Sequence, residues 1–283
     1  MSLTEHGKKM AKLPLDPSFS HLLLQSPHYG CITEMLTAVA MLSTENVFYR
    51  PGGSNMTTEK DGNNLATKAA IAHRRFASYE GDIPTLLSIY ESWRKEAIYV
   101  PKYAGGRKAQ KKKQKSEKTN DFGKMLHGDW CIRNFINGRA LVRAYDVRKQ
   151  LTEICGRSTS KNGLGWDVGL SCGSEMENFL KCVCAGLFMQ AAIRIQNIGN
   201  VKSQRQNRQV QLEKGSVSGR YKTLKSKKEV NIHPTSVLFG RNPAPKCVVY
   251  CELLLTRKAY VRGVTQVREE WLSELVPDFY KSK

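Results

Sequence analysis

Near Leu187 the apolar residues change their spacing, and no other feature constrains the fold as tightly. Upstream they recur every three or four positions, as in Leu141, Ala144, Val147, Leu151 and Ile154, the period of a half-buried helix. Downstream they fall into short β-branched or apolar runs: Val217 to Thr223, Glu229 to Ile232, Cys247 to Leu255 and Ala259 to Val267. These read as strands, and a short helix over Glu269 to Leu275 follows, ending at Pro277. The expected fold class is α+β, a helical block followed by a small antiparallel β-barrel.

Within the helical block, Asp16-Pro17 opens a helix carrying Phe19, Leu22, Leu23 and Leu24. Ile32 to Leu42 reads as a largely apolar helix. Asp82 and Pro84 start another, whose apolar face is Leu86, Leu87, Tyr90, Trp93 and Ala97. Asp129 is placed to cap a helix holding Trp130, Ile132, Phe135 and Ile136. Pro51 to Asn64, rich in Gly, Asn, Thr and Ser, reads as a loop. Ser174-Glu175-Met176-Glu177 fits a capping box before a helix that buries Phe179, Leu180, Val183, Leu187 and Phe188. One helix, about five short strands and a closing helix suit an OB-fold best among small barrels.

The charge is concentrated. Residues 101–128 carry nine Lys/Arg and two acids, and residues 202–228 carry nine and one, together +15 of the formal +20. Lys111, Lys112 and Lys113 lie in the first stretch and Lys225, Lys227 and Lys228 in the second. Such stretches favour polyanions, nucleic acid above all, with little sequence choice. The alternative is two solvated insertions whose lysines only confer solubility.

Catalytic signatures are missing. There is no phosphate-binding loop, because Gly105-Gly106-Arg107-Lys108 has neither the spacing nor the hydroxyl partner. The six histidines form no i, i+4 metal pair, the eight cysteines form no C-x-x-C pair, and no nucleophile elbow is present. The chain alone is therefore expected to hold neither enzyme activity nor a cofactor or metal. Its cysteines are expected to be reduced and structural. No apolar run of about 18 residues offers a membrane span, and the polar, basic start does not resemble a signal peptide.

Binding chemistry is better marked. Thr256, Lys258, Tyr260 and Arg262 share a parity, so an unbroken strand would present a hydroxyl, two cations and a ring on one surface. Cations suit phosphates and the ring suits a base, at roughly 1–3 kcal/mol per stacked base. A turn near Arg257 would break that alignment, and an ordinary solvent face with a covering tyrosine fits the same pattern.

These pieces resemble, in order, the C-terminal region of DEAH-box RNA helicases. The resemblance begins with Gly7-Lys8-Lys9-Met10-Ala11-Lys12-Leu13-Pro14-Leu15-Asp16-Pro17 and continues through Cys31-Ile32-Thr33-Glu34-Met35-Leu36 and Asn46-Val47-Phe48-Tyr49-Arg50-Pro51. Glu80-Gly81-Asp82, Trp130-Cys131, Asn134-Phe135 and Asp146-Val147-Arg148-Lys149-Gln150-Leu151 follow. The barrel adds Ile232-His233-Pro234-Thr235-Ser236-Val237-Leu238 and Lys258-Ala259-Tyr260-Val261-Arg262. The resemblance implies the end of a winged-helix domain at 1–14, a ratchet-like helical domain at 15–156 and an OB-fold at 157–283.

In that family these parts close a tunnel for single-stranded RNA over two RecA-like motor domains, which bind ATP and magnesium. The OB-fold also docks activators, often of the glycine-patch type. Carried over by position, Thr256, Lys258, Tyr260 and Arg262, with Arg257 beside them, become RNA-side residues. Arg139 and Arg143 become candidates on the ratchet helices. Ile83 stands where the family usually has a histidine, which leaves Asp82 as a helix cap rather than part of a site. A nuclear, nucleolar parent acting on pre-rRNA is the expected subtype. A motorless RNA-binding protein and a protein-docking module are the alternatives.

Overall fold

The computed structural model describes residues 3–49, 51, 59–99, 129–159, 162–195 and 219–280. The first basic stretch, with Lys111, Lys112 and Lys113, lies outside them, as does 202–218 of the second. The helices are α1 (Glu5–Met10), α2 (Pro17–Gln25), α3 (Ile32–Leu42), α4 (Glu59–Arg74), α5 (Asp82–Tyr99) and α6 (Asp129–Arg133). Then come α7 (Gly138–Gly156), α8 (Met176–Gly186), α9 (Glu269–Leu275) and α10 (Pro277–Tyr280). The strands are β1 (Ala191–Arg194), β2 (Arg220–Thr223), β3 (Glu229–Ile232), β4 (Cys247–Val249), β5 (Glu252–Leu255), β6 (Ala259–Arg262) and β7 (Thr265–Val267).

Two compact units result, a partition by packing that differs from the division by sequence at residues 14 and 156. One comprises Leu36–Ala77 and Leu86–Gly165 and is helical. Its core gathers Met41, Val47, Phe76, Ile89, Tyr90, Trp93, Ile136, Leu141 and Ala144. The expected face of α5 is present where it is described, with Leu87, Tyr90 and Trp93 buried. In α7 the stripe runs Ala140, Leu141, Ala144, Leu151 and Cys155, so Cys155 rather than Ile154 completes it. Asn137 starts that helix, its side-chain oxygen accepting the Arg139 and Ala140 N–H groups at 3.1 and 3.3 Å.

Several expectations are corrected in the helical segments. The loop expected over Pro51 to Asn64 gives way to α4 from Glu59 onward, a helix that takes in Gly62, Asn63 and Asn64 ahead of the helix-favouring Ala66, Ala69 and Ala70. The helix beginning at Asp129 ends at Arg133, since Phe135 takes a left-handed φ of 53°, and Ile132 is exposed rather than buried. The capping box at Ser174 is not formed. Glu175 occupies the N-cap of α8 without a side-chain hydrogen bond, and Phe188 is only half-buried.

The second unit comprises Met1–Met35, Ser78–Thr85 and Trp166–Lys283. Among the described residues its seven strands form one sheet in the order β5-β6-β3-β2-β1-β4-β7. The pairings are antiparallel except β3 with β6, which run parallel with Asn231 opposite Tyr260 and Ile232 opposite Val261. The core on the inner face holds Ala192, Tyr221, Val230, Ile232, Val248, Val261 and Val264. The buried Tyr221 hydroxyl donates to Pro245 O at 2.8 Å.

Two runs expected as single strands are each broken, Cys247 to Leu255 after Val249 and Ala259 to Val267 after Arg262. The breaks meet. Gly263 has a φ of 63°, and a Cβ there would lie 2.8 Å from Cys251 Sγ, so a glycine allows the two bends to close on each other. All eight cysteines are free thiols, six of them buried.

Candidate nucleic-acid interface

Alternation in the strands decides which side chains leave the core. In β2, Tyr221 and Thr223 are buried while Arg220 and Lys222 are exposed. In β3, Val230 and Ile232 face inward, leaving Asn231 and Glu229 outward. In β6, Val261 is buried and Tyr260 and Arg262 take the other face. The registers then align a row across four strands: Arg220 beside Asn231, Asn231 beside Tyr260, and Tyr260 beside Leu254.

The hairpin between β5 and β6 turns at Thr256–Lys258, so the unbroken strand that would align four residues is not present. Thr256 directs its hydroxyl inside the turn, onto Lys258 O at 2.7 Å. Arg257 and Lys258 are exposed at the tip, and neither has an ion pair among the described residues. Tyr260 is half-buried, and the His233 ring meets it edge-on at 5.6 Å. His233 Nδ1 accepts the Thr235 N–H at 3.2 Å, which fixes the ring beside Tyr260. Arg262 is paired with Glu252 across the hairpin at 3.6 Å. Arg220 pairs with Glu229 at 3.7 Å. Both pairs are solvent-exposed and each contributes little to stability, about 0–1 kcal/mol, so either arginine can exchange its carboxylate for a phosphate.

Parallel pairing adds what the linear sequence conceals. Because β3 and β6 run the same way, the turns that precede them lie at the same end of the sheet. One is Leu224–Lys228, with Lys225, Lys227 and Lys228 exposed; the other carries Arg257 and Lys258. Five cations from segments about 30 residues apart in sequence therefore border one edge of the face that holds Tyr260, Asn231 and Lys222. Lys225 Nζ also reaches Met189 Sδ at 3.6 Å.

At the other end of β3 and β6 a half-buried carboxylate holds the chain in place. Asp82 Oδ1 accepts the Val237 N–H at 2.8 Å and the Ser236 hydroxyl at 3.0 Å, and Oδ2 accepts the Val264 N–H at 2.8 Å. Asp82 was expected as a cap for its own helix; its oxygens instead serve segments more than 150 residues away. Burial raises the Asp82 carboxyl above its ordinary range, opposed by the Val237 and Val264 N–H groups, the Ser236 hydroxyl and the Arg262 charge.

In the helical unit, Arg139 and Arg143 are exposed near the start of α7, and Arg143 meets Glu45 at 3.5 Å. Among the described residues no group of three or more His, Cys, Asp or Glu side chains could hold a metal ion. Sequence reasoning missed Arg220, Lys222, Asn231 and His233 as members of the face. The alternation in Arg220-Tyr221-Lys222-Thr223 was a usable signal for the first two. The pairing of β3 with β6 had none.

Residues 179–280 match the family described as the oligonucleotide/oligosaccharide-binding (OB)-fold. Residues 16–86 match the helicase-associated domain (HA2), ratchet-like. Among curated relatives, the pre-mRNA-splicing factor ATP-dependent RNA helicase DEAH10 of Arabidopsis thaliana is 33% identical over 276 residues, 98% of this chain and 31% of that protein. The ATP-dependent RNA helicase DHX33 of Homo sapiens is 31% identical over 283 residues, 100% of this chain and 30% of its own length. The pre-mRNA-splicing factor ATP-dependent RNA helicase prp22 of Schizosaccharomyces pombe is 30% identical over 279 residues, 99% of this chain and 18% of its own. The chain thus spans a third or less of the length of these relatives. It belongs to the DEAH-box RNA helicase family and carries the C-terminal ratchet-like helicase-associated and OB-fold region.

Proposed function

We propose that this chain is the RNA-gripping accessory module of an ATP-dependent RNA helicase, holding single-stranded RNA across the outer face of its sheet. The observation that carries this reading is the parallel β3–β6 pairing, which gathers Lys225, Lys227, Lys228, Arg257 and Lys258 at one end of a face bearing Tyr260. Phosphates neutralised at the cationic end fix the strand, and Tyr260 offers a ring edge-supported by His233 for a base. Arg139 and Arg143 are a second set of phosphate contacts on the helical unit. ATP and magnesium belong to the RecA-like motor domains of the parent, and the OB-fold is also a docking surface for an activator of the glycine-patch type.

The parent acts in the nucleus. Pre-rRNA in the nucleolus is the finer substrate proposed; two relatives named as pre-mRNA-splicing factors favour pre-mRNA as the competing one. Sequencing RNA crosslinked to the full-length protein decides between them.

Equilibrium titration of a fluorescent single-stranded RNA tests the grip itself. Tyr260→Leu removes the ring but keeps an apolar side chain, and it should weaken binding about fivefold or more while leaving the salt dependence unchanged. Affinity equal to that of the unsubstituted chain would assign Tyr260 to covering the sheet. A chain that binds no RNA would leave the protein-docking alternative.

A further inference from the structure

Tyr79 is 67% exposed, although the turn that bears it is fixed on all sides. The Gly81 N–H closes the turn onto Ser78 O at 3.3 Å, and the Ser78 N–H is held by the Thr85 hydroxyl at 2.9 Å. The Gln266 N–H donates to Glu80 O at 2.7 Å and the Asp82 N–H to Val264 O at 2.7 Å, which stitches the turn to β7 and the segment before it. Gly81, at a φ of 127°, has no room for a Cβ, which would fall 2.3 Å from Val264 O. A large aromatic ring on so rigid a turn has already lost its freedom, so a ligand that stacks on it pays little further entropy.

One face of the ring is already taken. The Arg241 guanidinium lies 3.2 Å from the Tyr79 ring centroid. Its Nη1 donates to Tyr79 O and, at 3.2 Å, to Gln266 Oε1, so the cation cannot swing away. With one face stacked and the residue two-thirds exposed, the opposite face is the open one. Phe239, 40% exposed, lies two residues before Arg241 in the same loop. A guanidinium on one face of a tyrosine and solvent on the other is the half-built stack that a nucleobase completes.

The position agrees with such a role. The Tyr79 turn is tied to the segment just after β6, whereas the cationic turns lie before β3 and β6. The two ends are separated by a four-residue strand, about 13 Å, a span that a few nucleotides cover.

We propose that Tyr79, backed by Arg241, is a second base-stacking platform for single-stranded RNA at the end of the sheet opposite the cationic turns. The proposal rests on the RNA grip described above. The experiment is a titration of this chain with oligonucleotides carrying a single 2-aminopurine, whose fluorescence reports stacking, moved stepwise along the strand. The unsubstituted chain should quench the probe at two separate positions. Tyr79→Leu should abolish the quench at one of them and weaken binding between about fivefold and a hundredfold with an unchanged salt slope. Tyr79→Phe should restore both, and Arg241→Ala should weaken the same position. A Tyr79→Leu chain that keeps both quenched positions and full affinity, while Tyr260→Leu loses one, would overturn this platform and leave the grip standing. No RNA binding by the unsubstituted chain would overturn both. Loss of a protein partner with intact RNA affinity in Tyr79→Leu would make the stacked pair a protein contact.

Discussion

Asp82 is where the sequence and the structure part most clearly at the scale of a single residue. A carboxylate beside Pro84 at a helix start is read from sequence as a cap, because only local partners are visible there. Its actual partners, Ser236, Val237 and Val264, are brought to it by the sheet. Removing it leaves the Val237 and Val264 N–H groups and the Ser236 hydroxyl without this acceptor, so Asp82→Ala should destabilise the protein by about 2–4 kcal/mol in urea unfolding. The sign of the pH effect follows from the raised folded pKa. The contribution is fully present below the unfolded value of about 3.9 and is lost as the pH rises through the folded one. Relative to Asp82→Asn, the unsubstituted protein should therefore lose stability as the pH rises above about 4. A difference that stays constant or grows with pH would contradict the direction of the shift. Tyr260 and Arg262 were legible as a pair of equal parity, while Thr256 was not, because its hydroxyl is consumed by a turn whose position the sequence left open.

Elements with strong periodicity were the readable ones. Helices α2, α3, α5, α7, α8 and α9 follow stripes or start signals in the sequence, and β3 matches its expected bounds. What failed were short or weak segments. β1 is Ala-Ala-Ile-Arg, with little strand propensity of its own, and owes its place to pairing with both β2 and β4. The breaks at Cys251 and Gly263 depend on each other across the sheet, so neither is visible locally. Gly81 is the sharpest case, since its backbone conformation and its closeness to Val264 both exclude a side chain. Gly81→Ala should cost about 2 kcal/mol or more in thermal or urea unfolding and loosen the Tyr79 turn. Full stability in that variant would mean that the turn is free to move aside.

For the molecule as a whole, fold class and family were legible because many weak pieces occur in one order over nearly the entire chain. The interface was half legible. Charge could be counted, but its meeting point could not, because sequence separation hides the parallel pairing that brings two turns together. That pairing sets the cations of two turns far apart in sequence at one end of the face that carries Tyr260. The most direct test is the salt dependence of single-stranded RNA binding by a variant with Lys225, Lys227, Lys228, Arg257 and Lys258 changed to Gln. If these residues meet phosphates, the slope of log K against log salt should shrink by roughly 0.7 for each phosphate no longer neutralised, with affinity falling in parallel. A variant that keeps both the slope and the affinity of the unsubstituted chain would show that RNA is held elsewhere.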